Sequence, residues 1–338
     1  MIIYDKFNRP LHDLRISVID RCNFRCRYCM PEDEFAKNYT FLKKMEWLSF
    51  EEIVRLTKIF VRLGTSKVRL TGGEPLLRPN LDRVITELLA IPGVKDLALT
   101  TNGLLLAQQA EKLKESGLTR LTVSLDTLDN KIFQRMNGGR GSVAHILAAI
   151  QEAGRVGFDA IKINTVVQKG INDHTLLDLV EYFRGTKHVI RFIEFMDVGN
   201  CNHWQSEYVL PSAEIVRLIA RRYPLRALGA NYDGEVAERY VYQDGKGEIG
   251  FISSVTQPFC GSCSRARLST DGKIFTCLFA GHGTDLRTPL RAGASDAELT
   301  ALIQNVWQNR TDRYSEERSS FLTSHQNISK VEMFQIGG

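Results

Sequence analysis

The chain has 338 residues, of which 43% are hydrophobic and 25% charged, as in ordinary globular proteins. Its formal net charge of +5 is too small to indicate a nucleic-acid partner, but it permits a local pocket for an anion. No stretch approaches the length of a membrane span, and the first residues lack the pattern of a secretory signal. We therefore expect a cytoplasmic protein without a membrane partner. In that compartment the seven cysteines indicate metal chemistry rather than disulfides.

Apolar runs typical of β-strands alternate with segments of helical periodicity over the first two thirds of the chain. The strand runs are Arg15–Asp20, Lys67–Thr71, Asp96–Thr100, Arg120–Ser124, Ile161–Val167 and Val189–Glu194. The helical segments begin after a Ser49 cap and continue with Asn80–Leu89, Leu105–Ser116, Val143–Val156 and His174–Phe183. This alternation predicts an α/β fold with a parallel sheet. Six units favour a partial (β/α)6 barrel, an incomplete TIM barrel, over a flat doubly wound sheet, and we assign residues 1–220 to it.

The first predicted strand leads into a loop with three cysteines, Cys22, Cys26 and Cys29, in a C-x3-C-x2-C spacing. Three thiolates this close together suit a four-iron cluster, which normally takes four cysteines, so that one iron keeps an open position. A zinc site with a distant fourth ligand is the alternative. The other predicted strands also end in polar or glycine-rich sequence, where parallel barrels carry their active sites. The pattern therefore predicts one active-site mouth that contains the cysteine loop.

Basic residues alternate with apolar ones along several predicted strands. Lys67, Arg69 and Thr71 share one face of a strand, as do the pairs Arg15 with Ser17 and Lys162 with Asn164. An inward Arg or Lys costs several kcal/mol of desolvation unless an opposite charge compensates it. The set as a whole favours a bound polyanion such as a triphosphate. The alternative is internal pairing with the carboxylates Glu74, Asp126 and Glu194.

Beyond residue 220 the pattern changes to short strands with turns. Two runs, Glu238–Tyr242 and Glu248–Ile252, precede a helix predicted from Ser295 through Trp307. We therefore expect a smaller α+β domain over residues 221–338. The chain ends in Gly337-Gly338, which is either frayed or threaded into a narrow site, since glycine backbone fits where other residues do not.

A second cysteine triad lies in this C-terminal part. Cys260, Cys263 and Cys277 follow a C-x2-C-x13-C spacing, again without an obvious fourth ligand. A zinc knuckle completed by His282 is the alternative to a second cluster. If the stretch after Cys263 is extended, Arg265 and Arg267 share a face beside the metal. Two guanidinium groups next to an open metal position would form an anion clamp.

Several of these motifs together resemble a known family. The C-x3-C-x2-C loop with Tyr28 before its last cysteine, and Gly72-Gly73-Glu74-Pro75 after the second strand, resemble the radical S-adenosylmethionine superfamily. Further motifs, over about residues 4 to 338, resemble the GTP 3′,8-cyclase family of molybdenum cofactor biosynthesis. They are residues 13–15, 20–26 and 192–200, the second triad, Arg265-Ala266-Arg267 and the final two glycines.

The resemblance implies a role for each matched residue. Cys22, Cys26 and Cys29 would hold one [4Fe–4S] cluster, and Cys260, Cys263 and Cys277 a second in the C-terminal domain. S-adenosylmethionine would contact Tyr28, Gly73, Ser124, Asn164 and Met196. GTP would contact Arg15, Lys67, Arg69, Thr100, Lys162, Arg191, Arg265, Ala266 and Arg267. The catalytic residues would be Arg15, Arg265, Arg267, Gly337 and Gly338, while Cys201 belongs to neither triad.

The resemblance also implies a reaction and partners. A 5′-deoxyadenosyl radical would take the hydrogen from C3′ of GTP, and a lyase of this kind would form 3′,8-cyclo-7,8-dihydro-GTP. The open iron of the second cluster would bind the guanine. An electron-donor protein or reductant, a homodimer and docking of the next enzyme, cyclic pyranopterin monophosphate synthase, are further expectations. The alternatives are a radical enzyme with an auxiliary cluster that modifies a peptide or another small molecule, and a zinc-stabilised RNA-binding module.

Overall fold

A computed structural model of the chain describes residues 2–33, 39–323 and 329–338. The strands are β1 (Asp13–Ser17), β2 (Lys67–Thr71), β3 (Asp96–Thr101), β4 (Arg120–Ser124), β5 (Lys162–Val167), β6 (Val189–Glu194), β7 (Leu225–Leu228), β8 (Glu238–Tyr242), β9 (Glu248–Ile252), β10 (Arg265–Leu268), β11 (Lys273–Phe275) and β12 (Thr284–Asp285). Over the described residues they form one sheet of twelve strands in the order β12-β11-β10-β1-β2-β3-β4-β5-β6-β9-β8-β7.

Helices flank this sheet, most of them on its outer face. They are α1 (Phe50–Arg62), α2 (Leu81–Leu89), α3 (Leu106–Glu115), α4 (Asn130–Asn137), α5 (Val143–Arg155), α6 (Leu176–Phe183), α7 (Ser212–Ala220), α8 (Arg287–Arg291), α9 (Asp296–Gln308), α10 (Tyr314–Thr323) and α11 (Met333–Ile336). The predicted Ser49 cap accepts a hydrogen bond from the Glu52 amide at 3.1 Å at the start of α1. Within the described ranges, none of these helices has the length and apolar character needed to cross a membrane.

Strands β1 to β6 form the partial barrel that the alternating pattern predicts. Each is parallel to the next and pairs with it directly, in chain order. Successive parallel strands need a crossover connection, and at least one helix lies in each of the five intervals from β1 to β6. The carboxyl ends of all six strands therefore meet at one end of the barrel, which confirms the predicted parallel α/β architecture.

One helix of this part was not predicted. Helix α4 has only eight residues, between β4 and α5. Both ends of the helix have common capping residues. Asp129 caps the N-terminus by accepting hydrogen bonds from the Lys131 and Ile132 amides, and Gly138 ends the helix in the left-handed region at φ 79°. Only Phe133 and Met136 supply its buried apolar contacts. That is too short a stripe to reveal helical periodicity in the sequence.

The C-terminal residues extend the barrel sheet on both sides. Strand β10 pairs in parallel with β1, in the register Asp13 to Arg265, and β9 pairs in parallel with β6. Antiparallel partners then continue outward from β10 and from β9. The sheet thus contains strands from both sides of residue 220, and the domain boundary there stays a prediction.

The two faces of the barrel strands differ in chemistry. On β2, Val68 and Leu70 are fully buried in the hydrophobic core, toward the helices. Lys67, Arg69 and Thr71 alternate with them and line a cavity on the inner face. The apolar face packs against the helices, so the charged face is available to bind a ligand in the cavity.

Candidate active site

A cavity of about 330 Å³ lies on the inner face of the sheet. The six cysteines of the two triads all line it. The first triad follows the carboxyl end of β1, whereas Cys260 and Cys263 precede the amino end of β10, which runs parallel beside β1. The cavity therefore extends along the strands, with one cysteine triad near each end.

The first triad sits on a tight loop. The amides of Cys29 and Met30 donate to the carbonyl oxygen of Cys26 at 3.0 and 2.8 Å. Burial raises the pKa of all three thiols, that of Cys22 to about 11. Nearby thiols and carboxylates raise these pKa values further, so a positively charged metal centre is needed to hold the three sulfurs as thiolates.

Single-metal sites do not fit the cysteines well. In the described part of the chain, no three Cys, His, Asp or Glu side chains are grouped to hold one metal ion. A four-iron cluster does not need that convergence, because each cysteine binds a different iron atom. His282, the fourth ligand in the zinc alternative for the second triad, is exposed and does not line the cavity. The donor set therefore fits clusters better than zinc.

The residues expected to bind S-adenosylmethionine line the cavity beside the first triad, namely Tyr28, Gly73, Ser124, Asn164 and Met196. The Oδ1 atom of Asn164 is buried without a hydrogen-bond partner among the described residues. A buried acceptor of this kind needs a donor, which an amino group of a ligand would supply. The Tyr28 hydroxyl already donates to Asp126 at 2.8 Å.

The structure explains why position 73 is a glycine. A Cβ at this position would overlap the carbonyl oxygen of Arg21, at the base of the cysteine loop. The Gly73 amide also donates to the carbonyl oxygen of Ile19 at 2.7 Å. Glycine is thus required for close packing of the two loops, in addition to any approach of a cofactor.

Two buried carboxyl groups accept hydrogen bonds from backbone amides near the carboxyl ends of the barrel strands. Glu74 accepts hydrogen bonds from the amides of Asn102 and Leu76, and burial raises its pKa to about 7. Asp126 accepts from the Val166 amide at 2.9 Å, and burial raises its pKa to about 6. Both groups therefore hold loops in place. They form none of the ion pairs found for the inward basic residues.

A cluster of cations occupies the cavity away from the first triad, and we call it the cation cluster. It contains Arg15, Lys67, Arg69, Arg120, Arg191, Arg265 and Arg267, which line the cavity. Lys162, at the start of β5, belongs to the cluster because the charges of Arg191, Arg120, Arg69 and Lys67 act on it, although its side chain does not line the cavity. Only two carboxylates pair with it in the described structure: Asp13 lies 3.5 Å from Lys67, and Asp96 contacts Arg120 and lies 4.0 Å from Lys67. The third carboxylate considered from the sequence, Glu194, instead accepts backbone amides. The cluster thus keeps a large uncompensated positive charge.

The electrostatic consequences appear in the pKa values of the cation cluster. Burial and the charge of Arg191 lower the pKa of Lys162 to about 7. Burial and the charge of Arg69 lower that of Arg191 to about 10. Burial, with Arg267 next in effect, lowers the pKa of Arg15 well below its ordinary value. A bound polyanion would oppose these shifts, because its attraction stabilises the charged forms that burial and repulsion destabilise.

Compared with the GTP-binding residues expected from the sequence, the structure adds two residues at the cation cluster and places one expected residue in the hydrophobic core. Arg120 lies on the inner face of β4, where the same alternation argument could have found it. Tyr232, in a distant loop, accepts a hydrogen bond from Lys67 and has no local sequence signal. Arg69 donates to Thr100 at 2.9 Å. Ala266 is fully buried in the hydrophobic core and can offer the cavity only its backbone.

The second triad has a cationic environment. Arg265 and Arg310 donate to the Sγ atom of Cys263 at 3.1 and 3.2 Å. Burial alone would raise the pKa of this thiol, but the two guanidinium charges lower it to about 6. By contrast, burial and the charge of Asp312 raise the pKa of Cys277 to about 12. Arg310 was not predicted from the sequence.

The C-terminal tail enters the cavity. Helix α11 packs against β1, with Phe334 and Ile336 buried, and Gly338 lines the cavity. Arg267 donates to the carbonyl oxygen of Gly337, whose φ of 76° favours glycine. A Cβ at Gly337 would also overlap the Thr71 side chain. Gly338 therefore forms part of the cavity wall, and Gly337 packs against Arg267 and Thr71 next to it.

The tail is anchored at its base by the loop that follows β6. Lys330 donates to a carboxylate oxygen of Asp197 at 2.8 Å, and the Asn200 amide donates to Glu332 at 2.9 Å. This loop belongs to the motif over residues 192–200. Cys201 lies beside Glu332, outside both triads.

Family models and curated relatives match this chain over most of its length. The model described as the Radical SAM superfamily matches residues 16–183, and Molybdenum Cofactor Synthesis C matches residues 188–316. Proteins named GTP 3′,8-cyclase from Xanthomonas axonopodis pv. citri and Acidothermus cellulolyticus are 52% and 48% identical to it. The alignments cover 99% of this chain in both cases, and 98% and 99% of those relatives. A GTP 3′,8-cyclase from Staphylococcus epidermidis is 44% identical over all of this chain and 99% of its own.

The fold is also similar to a solved structure. The crystal structure of Streptococcus suis SuiB bound to S-adenosylmethionine matches with a TM-score of 0.58 and 18% sequence identity. The match covers 80% of this chain and 62% of SuiB, so the chain spans less than two thirds of that protein. At this identity the similarity describes the shared fold.

Proposed function

The chain belongs to the GTP 3′,8-cyclase family within the radical S-adenosylmethionine superfamily, and from this membership we propose that it converts GTP to 3′,8-cyclo-7,8-dihydro-GTP. In the family this lyase reaction is the first step of molybdenum cofactor biosynthesis. The observation that carries the proposal is the uncompensated cation cluster between two cysteine triads in one cavity. A triphosphate supplies the missing negative charge, and a peptide substrate does not.

The cysteines and their neighbours fit the cofactors of this reaction. Cys22, Cys26 and Cys29 would hold one [4Fe–4S] cluster, with S-adenosylmethionine beside it at the orphaned Asn164 acceptor. The second triad would hold a further [4Fe–4S] cluster next to the cation cluster. When bound, these groups supply a radical that removes a hydrogen atom from the substrate and an open iron that binds the guanine base.

The chain's own residues bind, orient and enclose the substrate. Arg15, Arg265 and Arg267 lie side by side on the paired strands β1 and β10, where their guanidinium groups would hold the phosphates. The tail fixes one of them, because the Gly337 carbonyl oxygen accepts a hydrogen bond from Arg267. The tail also forms part of the cavity wall, through Met333, Phe334 and Gly338, and would help to exclude water from a reactive radical.

The remaining partners and the location follow from the same family membership. We propose that an electron-donor protein or another reductant supplies electrons from outside, that the chain acts as a homodimer in the cytoplasm, and that cyclic pyranopterin monophosphate synthase takes its product.

An anaerobic assay tests the proposal. Protein with reconstituted clusters is incubated with S-adenosylmethionine and a reductant, with and without GTP, and 5′-deoxyadenosine and GTP are measured together. We expect 5′-deoxyadenosine formation to increase with GTP, and GTP to be consumed to a cyclised product. If 5′-deoxyadenosine forms while GTP survives, the substrate assignment is wrong and a peptide or another small molecule becomes the candidate.

A further inference from the structure

A buried arginine from outside both cysteine motifs binds a cysteine of the second triad. Arg310 follows α9 and is only 4% exposed. Its Nη2 donates to the Sγ atom of Cys263 at 3.2 Å, and its Nη1 donates to the carbonyl oxygen of the same residue at 2.6 Å. The guanidinium therefore fixes both the backbone and the sulfur of this cysteine.

A network that begins near the N-terminus holds Arg310 in place. Its Nη1 lies 3.3 Å from the carboxylate of Asp5, which also binds the guanidinium of Arg9 at 2.5 Å. Arg9 is 2% exposed and donates to the carbonyl oxygen of Cys260 at 2.8 Å. Two buried arginines that share one aspartate thus hold the two neighbouring cysteines of the second triad.

The net charge of this environment is positive. Arg9, Arg310 and Arg265 bring three positive charges to the Cys260 to Cys263 loop, against the two carboxylates Asp5 and Asp312. A third carboxylate, Glu316, accepts from the Gly261 amide at 3.1 Å, but it is paired with Arg313, so that four positive charges face three negative ones. Both hydrogen bonds to the Cys263 sulfur come from charged donors. Charged donors form stronger hydrogen bonds than neutral ones.

The first triad has a less cationic environment, without a charged donor to its sulfurs among the described residues. The Cys22 sulfur accepts hydrogen bonds from the Phe24 amide at 3.4 Å and the Asn102 side chain at 3.7 Å, both of which are neutral donors. The buried carboxyl groups Glu74 and Asp126 line the same part of the cavity. Arg25 donates to the carbonyl oxygen of Cys22 at 2.7 Å, but no Arg or Lys side chain donates to a sulfur of this triad among the hydrogen bonds of the described residues. One chain therefore surrounds its two cysteine triads with different charge.

We propose that Arg310, held by Asp5 and Arg9, is a positioning residue that sets the reduction potential of the second [4Fe–4S] cluster above that of the first. The inference rests on the second cluster of the proposed function. Reduction adds one negative charge to a cluster, and hydrogen bonds to its sulfurs together with nearby positive charge stabilise that reduced state. A common reductant would therefore reduce the second cluster before it reduces the first.

Redox titration of the full-length protein with both clusters reconstituted tests this assignment. Electron paramagnetic resonance follows each reduced cluster, and the signal that changes on addition of S-adenosylmethionine identifies the first cluster. The variants are Arg310→Met, which removes the charge and the donors, Arg310→Lys, which keeps the charge, and Asp5→Asn, which removes a compensating negative charge. Arg78→Lys is the matched control, because Arg78 donates to the carbonyl oxygens of Val18 and Leu48 and to neither triad.

We expect the second midpoint potential to lie above the first in the unaltered protein. It should become more negative in Arg310→Met, less so in Arg310→Lys, and more positive in Asp5→Asn, while the first midpoint and the Arg78→Lys control stay unchanged. An Arg310→Met protein with both clusters and an unchanged second midpoint would overturn the inference alone. Iron analysis that shows a single cluster in the unaltered protein would overturn both the inference and the proposed second cluster.

Discussion

Binding of GTP should take up a proton at Lys162. Burial and the charges of Arg191, Arg120 and other cations lower the pKa of this lysine to about 7 in the free protein. At pH 8, a group with that pKa is charged in about one tenth of molecules. The phosphates of GTP would raise the pKa of the lysine well above 8, because their attraction for the charged form opposes both the burial and the repulsion. About 0.9 proton should therefore be taken up for each GTP bound at pH 8.

The same linkage gives the pH dependence of affinity and of stability. Because the bound state holds more protons, the affinity for GTP should fall by up to about tenfold for each pH unit above 7. Stability of the free protein should change in the opposite sense. The unfolded chain keeps Lys162 charged up to the ordinary lysine pKa of 10.5, so raising the pH from about 7 toward 10.5 increases the stability contribution of this group.

Isothermal titration calorimetry at pH 8 measures this uptake directly, in buffers that differ in ionisation enthalpy. The Lys162→Arg variant is the matched control, since arginine stays charged and should bind GTP without the proton. Lys162→Met should lose both the proton uptake and part of the affinity. Equal proton uptake in the unaltered protein and in Lys162→Arg would refute the reasoning, since the proton would then come from another group.

Three further changes test other parts of the account. Removal of Gly337 and Gly338 should abolish cyclisation while cluster absorbance and S-adenosylmethionine binding persist; a fully active truncated protein would contradict this. Glu194→Ala should destabilise the fold by roughly 3–5 kcal/mol in denaturant unfolding, because the buried carboxylate accepts four hydrogen bonds. The exposed Glu238→Ala control should change stability by less than about 0.5 kcal/mol, and similar losses for both would count against the assigned role. Gly73→Ala should lower the iron content after reconstitution because its Cβ overlaps the cysteine loop, whereas Gly154→Ala meets open space and should not; equal iron content in both would refute the packing argument.

The barrel strands could be predicted because parallel strands covered by helices need long apolar runs. Strands β2, β4 and β6 have the predicted bounds. The first strand differs, since it covers Asp13–Ser17 instead of Arg15–Asp20. Asp13 is polar but pairs with Lys67, and Asp20 has left the sheet to accept the Leu42 amide. The first and last residues of this strand therefore depend on contacts with residues that are distant in sequence.

The candidate site was predictable where it follows strand alternation or cysteine spacing. The same alternation that found Arg15 and Arg69 would have found Arg120 on β4. Arg310 and Arg9 gave no such signal, because they follow or precede regular elements and reach the second triad only through the folded chain. The pairing of β10 with β1 joins residues about 250 positions apart, and no local pattern encodes that contact.

The most direct test of the central claim is an anaerobic reaction with GTP that carries deuterium at C3′. The claim is that one cavity holds GTP between the two cysteine triads, with C3′ within reach of the radical formed at the first. We predict that 5′-deoxyadenosine isolated from the reaction contains deuterium and that GTP is consumed in proportion. Formation of 5′-deoxyadenosine without deuterium, from protein with both clusters filled, would contradict the claim.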